Sequence, residues 1–288
     1  MFPDLKKIHR PKDLAEAFRI LAESDGRVLP LAGGSAKGIW DRPGIAEVMD
    51  LWGLPMNLVE ETRRTVRLGS TVTIAAMLAS PAAQIWDGAL AECAGSIGST
   101  QIRNLVTVGG NLCAPYPWVD LPVILLVLDA LVEIRKSDER KMVPIAEFLL
   151  GPPRKILEGK RLVTSVEFMR KEPGAGAAFQ TLKETHFDYA LVSVGAALKI
   201  EKGKVVWSRI SVGAVESKPR RVKEAEIVLD GAVPGPDAWS LAGKAAGQAI
   251  SPTTDSRVSK DYKREMVGVL VERALEAAYN RAVSEVGS

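Results

Sequence analysis

Residues 97–112 read IGSTQIRNLVTVGGNL, and the strand-like pair Thr107-Val108 in this stretch runs directly into Gly109-Gly110. Glycine adopts positive φ and lets the backbone approach a ligand without an intervening Cβ. Successive backbone N–H groups in such a turn form a concave anion site. The stretch therefore predicts a tight turn at which a negatively charged group can lie against the main chain, with Asn111 adding a side-chain hydrogen bond.

A second glycine pair follows the same pattern nearer the N-terminus. The aliphatic residues 28–32 predict a short buried strand that runs into Gly33-Gly34, and Ser35 supplies a hydroxyl directly afterwards. One isolated glycine pair is more often an ordinary tight turn, so the interpretation depends on both. Two such turns can converge on one pyrophosphate from two sides.

Other cofactor and metal motifs are missing from the sequence. Neither GxGxxG nor GxxxxGK[ST] occurs, so a standard nicotinamide or P-loop site is not indicated. The two cysteines, Cys93 and Cys113, and the two histidines, His9 and His186, form no CxxC or HxxxH spacing. This excludes a zinc site or an iron–sulfur cluster built by this chain alone. Buried free thiols are expected, and a Cys93–Cys113 disulfide is the alternative.

Composition indicates an ordinary folded protein. The chain has 288 residues, 47% of them apolar and 25% charged, which suits one large domain or two ordinary ones. The net charge of +3 is interleaved along the chain, and the basic run at 218–223 is expected to be a solvated loop, so nucleic acid is a poor candidate partner. The N-terminus lacks a signal pattern and the apolar run 121–132 is too short to span a bilayer, so we expect a soluble, cytoplasmic protein.

The order of secondary structure changes along the chain. Short strands and helices alternate in the first part, up to a break at residues 171–176 that we interpret as a domain boundary. Two β-rich runs joined by a turn at 202–204 then predict a hairpin, and two longer helices follow it. The predicted helices are 14–21, 73–78, 89–94, 121–128, 237–249 and 260–283, and the predicted strands are 28–32, 46–51, 66–69, 131–135, 162–168, 190–200 and 205–215.

Several further motifs occur in order around the two glycine pairs. LAGGS stands at 31–35, P-x-x-D-L-P at 117–122 and LLVLDA at 125–130, followed by FDYALVSVGAAL at 187–198, SVGAVESKPRR at 211–221 and SKDYKREMVGVLVERAL at 259–275. Together with residues 97–112, this series resembles the FAD-binding (medium) subunits of the xanthine dehydrogenase and carbon monoxide dehydrogenase class of molybdenum hydroxylases. The resemblance covers essentially the whole chain.

The resemblance implies an α+β fold with a two-part FAD-binding domain of the vanillyl-alcohol oxidase (PCMH) type at 1–172. A smaller α+β C-terminal flavoprotein domain would occupy 177–286. By similarity, FAD is bound non-covalently, Asp120 lies by its ribose or adenine end, and Ile97 lies near the adenine. Leu162 packs against the isoalloxazine ring, and Gln180 stands where relatives often carry a lysine. The residues that would cradle the pyrophosphate are Leu31, Ala32, Gly33, Gly34, Ser35, Ala36, Lys37, Thr107, Val108, Gly109, Gly110 and Asn111.

The resemblance also implies partners and a division of labour. A molybdopterin-binding large subunit would oxidise the substrate, and a small subunit with two [2Fe–2S] clusters would pass electrons on. This chain would transfer them through FAD to NAD⁺ or another acceptor, in a heterotrimer expected to pair into a dimer of heterotrimers. No catalytic side chain and no metal ligand are expected in the chain itself.

Some residues depart from the family pattern and leave alternatives open. The family usually continues its first loop with Thr-Asp or Thr-Asn, where this chain has Ser35-Ala36, and the aromatic residues Tyr116 and Trp118 follow the second loop. These aromatic residues either stack on adenine or cover a core edge. The alternative function is a non-catalytic interaction subunit that kept the fold and lost FAD. A stand-alone flavin oxidase is disfavoured because no histidine lies in a glycine loop. His186 and Asp188 would lie on one face of a predicted strand and are a weak candidate for an acid–base pair.

Overall fold

The computed structural model describes residues 4–24, 26–36, 44–114, 116–158 and 160–284. The chain forms two compact units, each assembled from several segments. The first comprises Met1–Met77, Ser99–Pro115 and Leu131–Phe168, and the second comprises Leu78–Gly98, Tyr116–Ala130 and Met169–Ser288. Across the described ranges, no helix has both the length and the apolar character that a membrane span requires.

The first unit begins with a small parallel sheet in the order β1-β3-β2, formed by β1 (Lys7–His9), β2 (Val28–Leu31) and β3 (Glu47–Asp50). The helix Leu14–Glu23 connects the first two strands, and the Asp13 carboxylate caps it by accepting a 2.8 Å hydrogen bond from the backbone N–H of Glu16. Its apolar side bears Ala17, Phe18 and Leu21, which belong to a buried cluster that also contains Val28, Met49, Leu54, Met56 and Leu162.

A five-stranded sheet in the order β4-β5-β8-β6-β7 makes up the rest of the first unit's strands. Its members are β4 (Val59–Glu61), β5 (Thr65–Gly69), β6 (Leu131–Lys136), β7 (Glu139–Pro144) and β8 (Leu162–Met169). The buried carboxylate of Glu133 accepts hydrogen bonds from Arg67 and Thr164 and pairs with Arg140, so its charge is compensated. Short helices lie between the strands, at Ile74–Ala79, Thr100–Arg103, Val108–Leu112, Ile145–Phe148 and Pro153–Leu157.

The second unit contains an antiparallel sheet in the order β12-β11-β10-β9. Its strands are β9 (Ala175–Leu182), β10 (Val192–Glu201), β11 (Lys204–Gly213) and β12 (Arg220–Arg221). Lys202 and Gly203 close the predicted hairpin with φ values of 50° and 73°, as a two-residue turn of this hand requires. The helices Pro236–Ala249 and Lys260–Ser284 bury their apolar sides in the core on this sheet. The other helices are the 3₁₀ turn Pro81–Gln84 and the α-helices Ala89–Ser96, Leu121–Val127 and Lys223–Leu229.

Nearly all the predicted elements are confirmed, with bounds that differ by one or two residues in most cases. Two local predictions outside the glycine loops are wrong. The basic run at 218–223 is not a solvated loop, because Arg220 pairs with Glu216 at 2.8 Å and Arg221 pairs with the buried Glu226 at 2.7 Å. Likewise, residues 183–191 form no strand.

The two candidate acid–base residues of that segment therefore lie in a loop. Asp188 accepts hydrogen bonds from the backbone N–H and the hydroxyl of Thr185 at 3.0 and 2.9 Å. His186 instead contacts the ring of Phe187 edge-on. The Asp188 carboxylate thus closes a local turn, and the predicted shared strand face is absent.

Candidate functional site

The first glycine pair follows the end of β2, at which the Leu31 carbonyl accepts a 3.0 Å hydrogen bond from the N–H of Leu51. Gly34 has a φ of 59°, in the left-handed region that favours glycine. A Cβ on Gly33 would lie 1.5 Å from the backbone oxygen of Leu105, so only glycine fits there. This close approach brings the first loop against the segment that precedes the second glycine pair, as the convergence of the two loops requires.

The remaining residues of the first loop are more open. Ser35 is exposed, and Ala32 and Ala36 are half-buried. Lys37, which the sequence also placed in the cradle, lies outside the described residues. The exposed Ser35 hydroxyl can donate to a ligand that lies over the loop.

The second glycine pair lies in a helix and not in a turn after a strand. Thr107 is the N-cap of the helix Val108–Leu112: its φ and ψ are −107° and 158°, and its Oγ1 accepts a 3.1 Å hydrogen bond from the N–H of Gly110. The prediction of a strand at Thr107-Val108 is therefore wrong, although Thr107 does form an isolated bridge with Thr73. The sequence signal for this helix is Thr107 itself, because threonine is a favoured N-cap residue that accepts from the N–H three residues later, here that of Gly110.

The backbone N–H groups of this helix start are already bonded within the first unit. The N–H of Val108 donates to the Val72 carbonyl at 2.9 Å, that of Gly109 to Ser70 at 2.8 Å, and that of Asn111 to Thr107 at 2.8 Å. The prediction that these N–H groups are free to bind an anion is therefore wrong for this loop. They donate instead to Thr107 and to carbonyls of residues 70 and 72, between β5 and the helix.

An open backbone surface and one unpaired acceptor remain at the second glycine pair. Gly110 is exposed, and a Cβ there would meet only the Thr107 hydroxyl, at 2.8 Å. Asn111 is buried, and its Oδ1 has no hydrogen-bond partner among the described residues. A buried acceptor left unpaired costs free energy that a ligand with a hydroxyl or amino donor would recover.

Asp120 lies in the second unit, buried directly before the helix Leu121–Val127. Its Oδ2 accepts from the Ser96 hydroxyl at 3.2 Å and lies 3.5 Å from the Lys183 ammonium, while its Oδ1 makes no hydrogen bond within the part of the chain that the structure describes. Burial raises the pKa of Asp120 to about 6, against the opposing effects of Lys183, Ser96 and Ser193. Sequence reasoning missed Lys183, because a lysine just after a strand is usually a solvated residue.

Three further residues are predicted to lie near the cofactor. Ile97 caps the end of the helix Ala89–Ser96, and Gln180 is half-buried in β9 opposite Val194, both in the second unit. Leu162 begins β8 in the first unit, and its side chain belongs to the buried cluster around Phe18 and Met56. The roles of these three residues towards a cofactor stay predictions.

The aromatic residues after the second loop form a ladder in the second unit. The rings of Tyr116 and Trp118 stack with centroids 5.0 Å apart, and Trp118 contacts the ring of the exposed Tyr189 at 5.2 Å. Both cysteines are free thiols, as expected, and burial raises the pKa of each.

Comparison with known proteins identifies the class. Residues 4–168 match the family described as the FAD binding domain in molybdopterin dehydrogenase, and residues 177–278 match the CO dehydrogenase flavoprotein C-terminal domain. The chain belongs to this family of FAD-binding subunits of molybdenum hydroxylases. It is an oxidoreductase subunit whose cofactor is FAD.

Particular relatives are similar over nearly their full length. The chain is 29% identical to the carbon monoxide dehydrogenase medium chain of Hydrogenophaga pseudoflava, over 98% of this chain and 99% of the relative. It is 30% identical to subunit alpha of the 6-hydroxypseudooxynicotine dehydrogenase complex of Paenarthrobacter nicotinovorans, over 92% of each. Its fold superimposes on a chain of carbon monoxide dehydrogenase from Hydrogenophaga pseudoflava with a TM-score of 0.91, at 28% identity over 98% and 99% of the two chains.

These comparisons confirm the predicted fold class, an FAD-binding α+β domain followed by a C-terminal flavoprotein domain. The boundaries 1–172 and 177–286 stay predictions. The donor and acceptor chemistry of the described residues also fits the cofactor. Asn111 and Asp120 each hold a buried oxygen to which none of the described residues donates, and the hydroxyl and amino groups of FAD are donors of the matching kind.

Proposed function

We propose that this chain is the subunit through which electrons leave a molybdenum hydroxylase complex. It would receive them from [2Fe–2S] clusters of a partner subunit and deliver them to NAD⁺ or another acceptor. The observation that carries this proposal is the match of both family domains in order along one chain, joined to unpaired acceptors at Asn111 and Asp120. When bound, FAD supplies the ability to exchange electrons one or two at a time, which suits a position between iron–sulfur clusters and a two-electron acceptor.

The residues of this chain would bind and orient the cofactor. We propose that the glycine loops give its pyrophosphate close access to the backbone, with Ser35 donating to it from the first loop. Asn111 in the second loop would accept, through Oδ1, from a hydroxyl or amino group of the cofactor. Asp120 and Ile97 would serve the adenosine end, Leu162 would pack against the flavin ring, and Gln180 would lie near the cofactor. The complete proposed set is Leu31, Ala32, Gly33, Gly34, Ser35, Ala36, Lys37, Ile97, Thr107, Val108, Gly109, Gly110, Asn111, Asp120, Leu162 and Gln180.

The proposed partners are a molybdopterin-binding large subunit and a small subunit with [2Fe–2S] clusters. The names of the relatives support this, since they include medium chains and a subunit of a dehydrogenase complex. We further propose a cytoplasmic complex that is a dimer of heterotrimers. The alternative is a scaffold subunit with the same fold and weak or lost FAD binding.

Co-expression of the chain with the genes that flank its own tests the partner proposal. We expect a stable complex that contains molybdenum, iron and FAD and whose flavin absorbance bleaches when the substrate of the large subunit is added. The matched control is the same complex with Gly110→Val in this chain, in which the iron–sulfur absorbance should still bleach. A chain that purifies alone as a monomer from every such co-expression would contradict the proposal.

A further inference from the structure

A buried polar cluster surrounds Asp120 in the second unit. It comprises Ser96 from the helix Ala89–Ser96, Lys183 directly after β9, and Ser193 from β10. Asp120 and Ser193 are buried, and the side chain of Lys183 is 8% exposed. A lysine ammonium is rarely buried to this extent unless specific partners compensate its charge.

Two acceptors hold the Lys183 ammonium. It donates a short hydrogen bond to the backbone carbonyl of Ser96 and lies 3.5 Å from the Asp120 Oδ2. The Lys183 backbone is itself fixed, because its neighbour Leu182 ends a paired strand and accepts a 2.8 Å hydrogen bond from Leu191. The ammonium is therefore held at one point beside the carboxylate.

The two carboxylate oxygens of Asp120 differ in their hydrogen bonding. Oδ2 is occupied by Ser96 and Lys183, whereas no described residue donates a hydrogen bond to Oδ1. The buried Ser193 hydroxyl makes no hydrogen bond of ordinary geometry to the described residues, although it lies close enough to the carboxylate to lower the pKa of Asp120. An ionised carboxylate accepts at both oxygens, so Oδ1 is left as an unused acceptor in a dry environment.

We infer that Lys183 is the positioning residue of Asp120: its ammonium fixes Oδ2 and leaves Oδ1 aligned to accept a hydroxyl of the bound cofactor. This inference rests on the proposed function, since it assigns Asp120 to FAD. Lys183 would act through Asp120 and need not touch the cofactor itself.

Among the charged neighbours of Asp120, Lys183 has the largest effect on the ionisation of its carboxyl group. Burial raises the pKa of Asp120 to about 6, and Lys183 is first among the groups that lower it. Burial also raises the pKa of Cys93 well above its ordinary value, so this thiol stays neutral. Glu92 is paired with Arg281. Loss of the Lys183 ammonium would leave the burial of Asp120 without its main compensation and keep the carboxyl protonated to higher pH.

The inference is tested by measuring the affinity of the full-length chain for FAD. The chain is stripped of flavin and titrated with FAD between pH 5 and 9, and binding is followed by flavin fluorescence. The expected result for Lys183→Met is an affinity about tenfold weaker at pH 7 that recovers towards pH 9, because Asp120 then ionises at higher pH. Lys183→Arg should restore most of the affinity. The matched control is Lys171→Met, since Lys171 is also 8% exposed and pairs with a carboxylate, that of Asp87, at 2.6 Å.

A second comparison covers the case in which Lys183→Met fails to fold. The affinity of the wild-type chain should fall as the pH drops through about 6, the pKa of Asp120, whereas that of Asp120→Asn should not change over this range. In the double variant, Lys183→Met should add little to the loss caused by Asp120→Asn.

The outcomes separate the inference from the proposed function. If the wild-type chain binds FAD and Lys183→Met binds it equally well with the same pH profile, the inference is overturned and the FAD assignment stands. Equal losses in Lys183→Met and Lys171→Met would also overturn it, because a general stability effect would then account for both. A wild-type chain that binds no FAD at any pH would overturn the proposed function, and the inference with it.

Discussion

Gly33 and Gly110 lack a side chain for different reasons. A Cβ on Gly33 would meet backbone, the Leu105 oxygen at 1.5 Å, whereas one on Gly110 would meet only the movable hydroxyl of Thr107. The first glycine is therefore required by the fold, and the second faces the region in which the cofactor is proposed to bind. Substitution at the two positions should separate folding from binding.

Gly110→Val should keep the fold and lose the cofactor. The branched side chain would cover the open backbone surface at the helix start, and we expect FAD affinity to fall about a hundredfold or more, which corresponds to about 3 kcal/mol. The disturbed Thr107 cap should lower the free energy of unfolding by only about 1 kcal/mol. Flavin fluorescence titration measures the first effect and thermal unfolding the second. A variant that purifies with one FAD per chain would show that this loop does not contact the cofactor.

Gly33→Ala should act on stability. Because the new methyl group cannot coexist with the Leu105 carbonyl, one of the two loops must move, at an expected cost of about 3 kcal/mol. Thermal unfolding of the apoprotein checks this, with Gly95→Ala as the control, since a Cβ at Gly95 meets nothing within 4 Å. An unchanged melting temperature for Gly33→Ala would refute the close packing of these loops.

The sequence could indicate candidate residues of the site, but not how these residues are partnered. The glycines and Asn111 are candidates because their residue types are unusual for their surroundings. The roles of Asn111 Oδ1 and Lys183 were not indicated, because an unpaired acceptor or a buried ammonium depends on neighbours such as Ser96, far away in the sequence. Burial is a property of the folded chain, and residue type alone predicts it poorly for lysine.

At the scale of elements, the start of the last helix is anchored by a charged cluster in the second unit. The Asp255 carboxylate accepts from the backbone N–H groups of Arg257 and Val258, at 2.8 and 3.1 Å, and from the buried ammonium of Lys263 at 2.9 Å. Burial acts to raise the pKa of Asp255, but these hydrogen bonds and the Lys263 charge together hold it below its ordinary value. Arg257 also donates to the Tyr189 carbonyl at 3.0 Å, which ties this loop to the aromatic ladder.

Asp255→Asn should therefore destabilise the protein in a pH-dependent way. A carboxyl whose pKa is lowered by folding contributes stability above its unfolded pKa of about 4, and this is lost as the pH falls through the lower folded value. We expect a cost of about 2 kcal/mol at pH 7, discounted for partial exposure, or a melting temperature lower by about 5 °C. The control is Asp261→Asn, whose pair with Arg264 is more exposed (76% for Asp261, 33% for Asp255) and should matter little. A difference between Asp255→Asn and wild type that persists unchanged below pH 3 would argue against this account.

Secondary structure could be predicted where the apolar pattern is clear, but not where capping and tertiary hydrogen bonds stabilise a short helix. The hairpin of β10 and β11 follows from two β-rich runs and a Lys-Gly turn, and the long helix Lys260–Ser284 follows from its apolar spacing. The helix Val108–Leu112 has five residues, two of them glycine, so neither propensity nor periodicity favours it. It exists because Thr107 caps it and because tertiary hydrogen bonds hold its first N–H groups.

At the scale of the whole molecule, the class of protein could be predicted and the path of the chain could not. Ordered motifs over the full length indicated the family, and both family domains confirm it. The assignment of residues 78–98 and 116–130 to the second compact unit has no compositional signal. The helix Leu121–Val127 is apolar on all sides and reads equally well as the core of either unit.

The visible absorption spectrum of the purified chain, with titration by FAD, tests the central claim most directly. Binding of FAD by this chain predicts flavin absorbance bands at about one FAD per chain, or their recovery on adding FAD to stripped protein. All of the flavin should pass into the filtrate after heat or acid denaturation, because it is bound without a covalent link. A folded, colourless chain that ignores added FAD would contradict the account and favour a scaffold subunit that kept the fold without the cofactor.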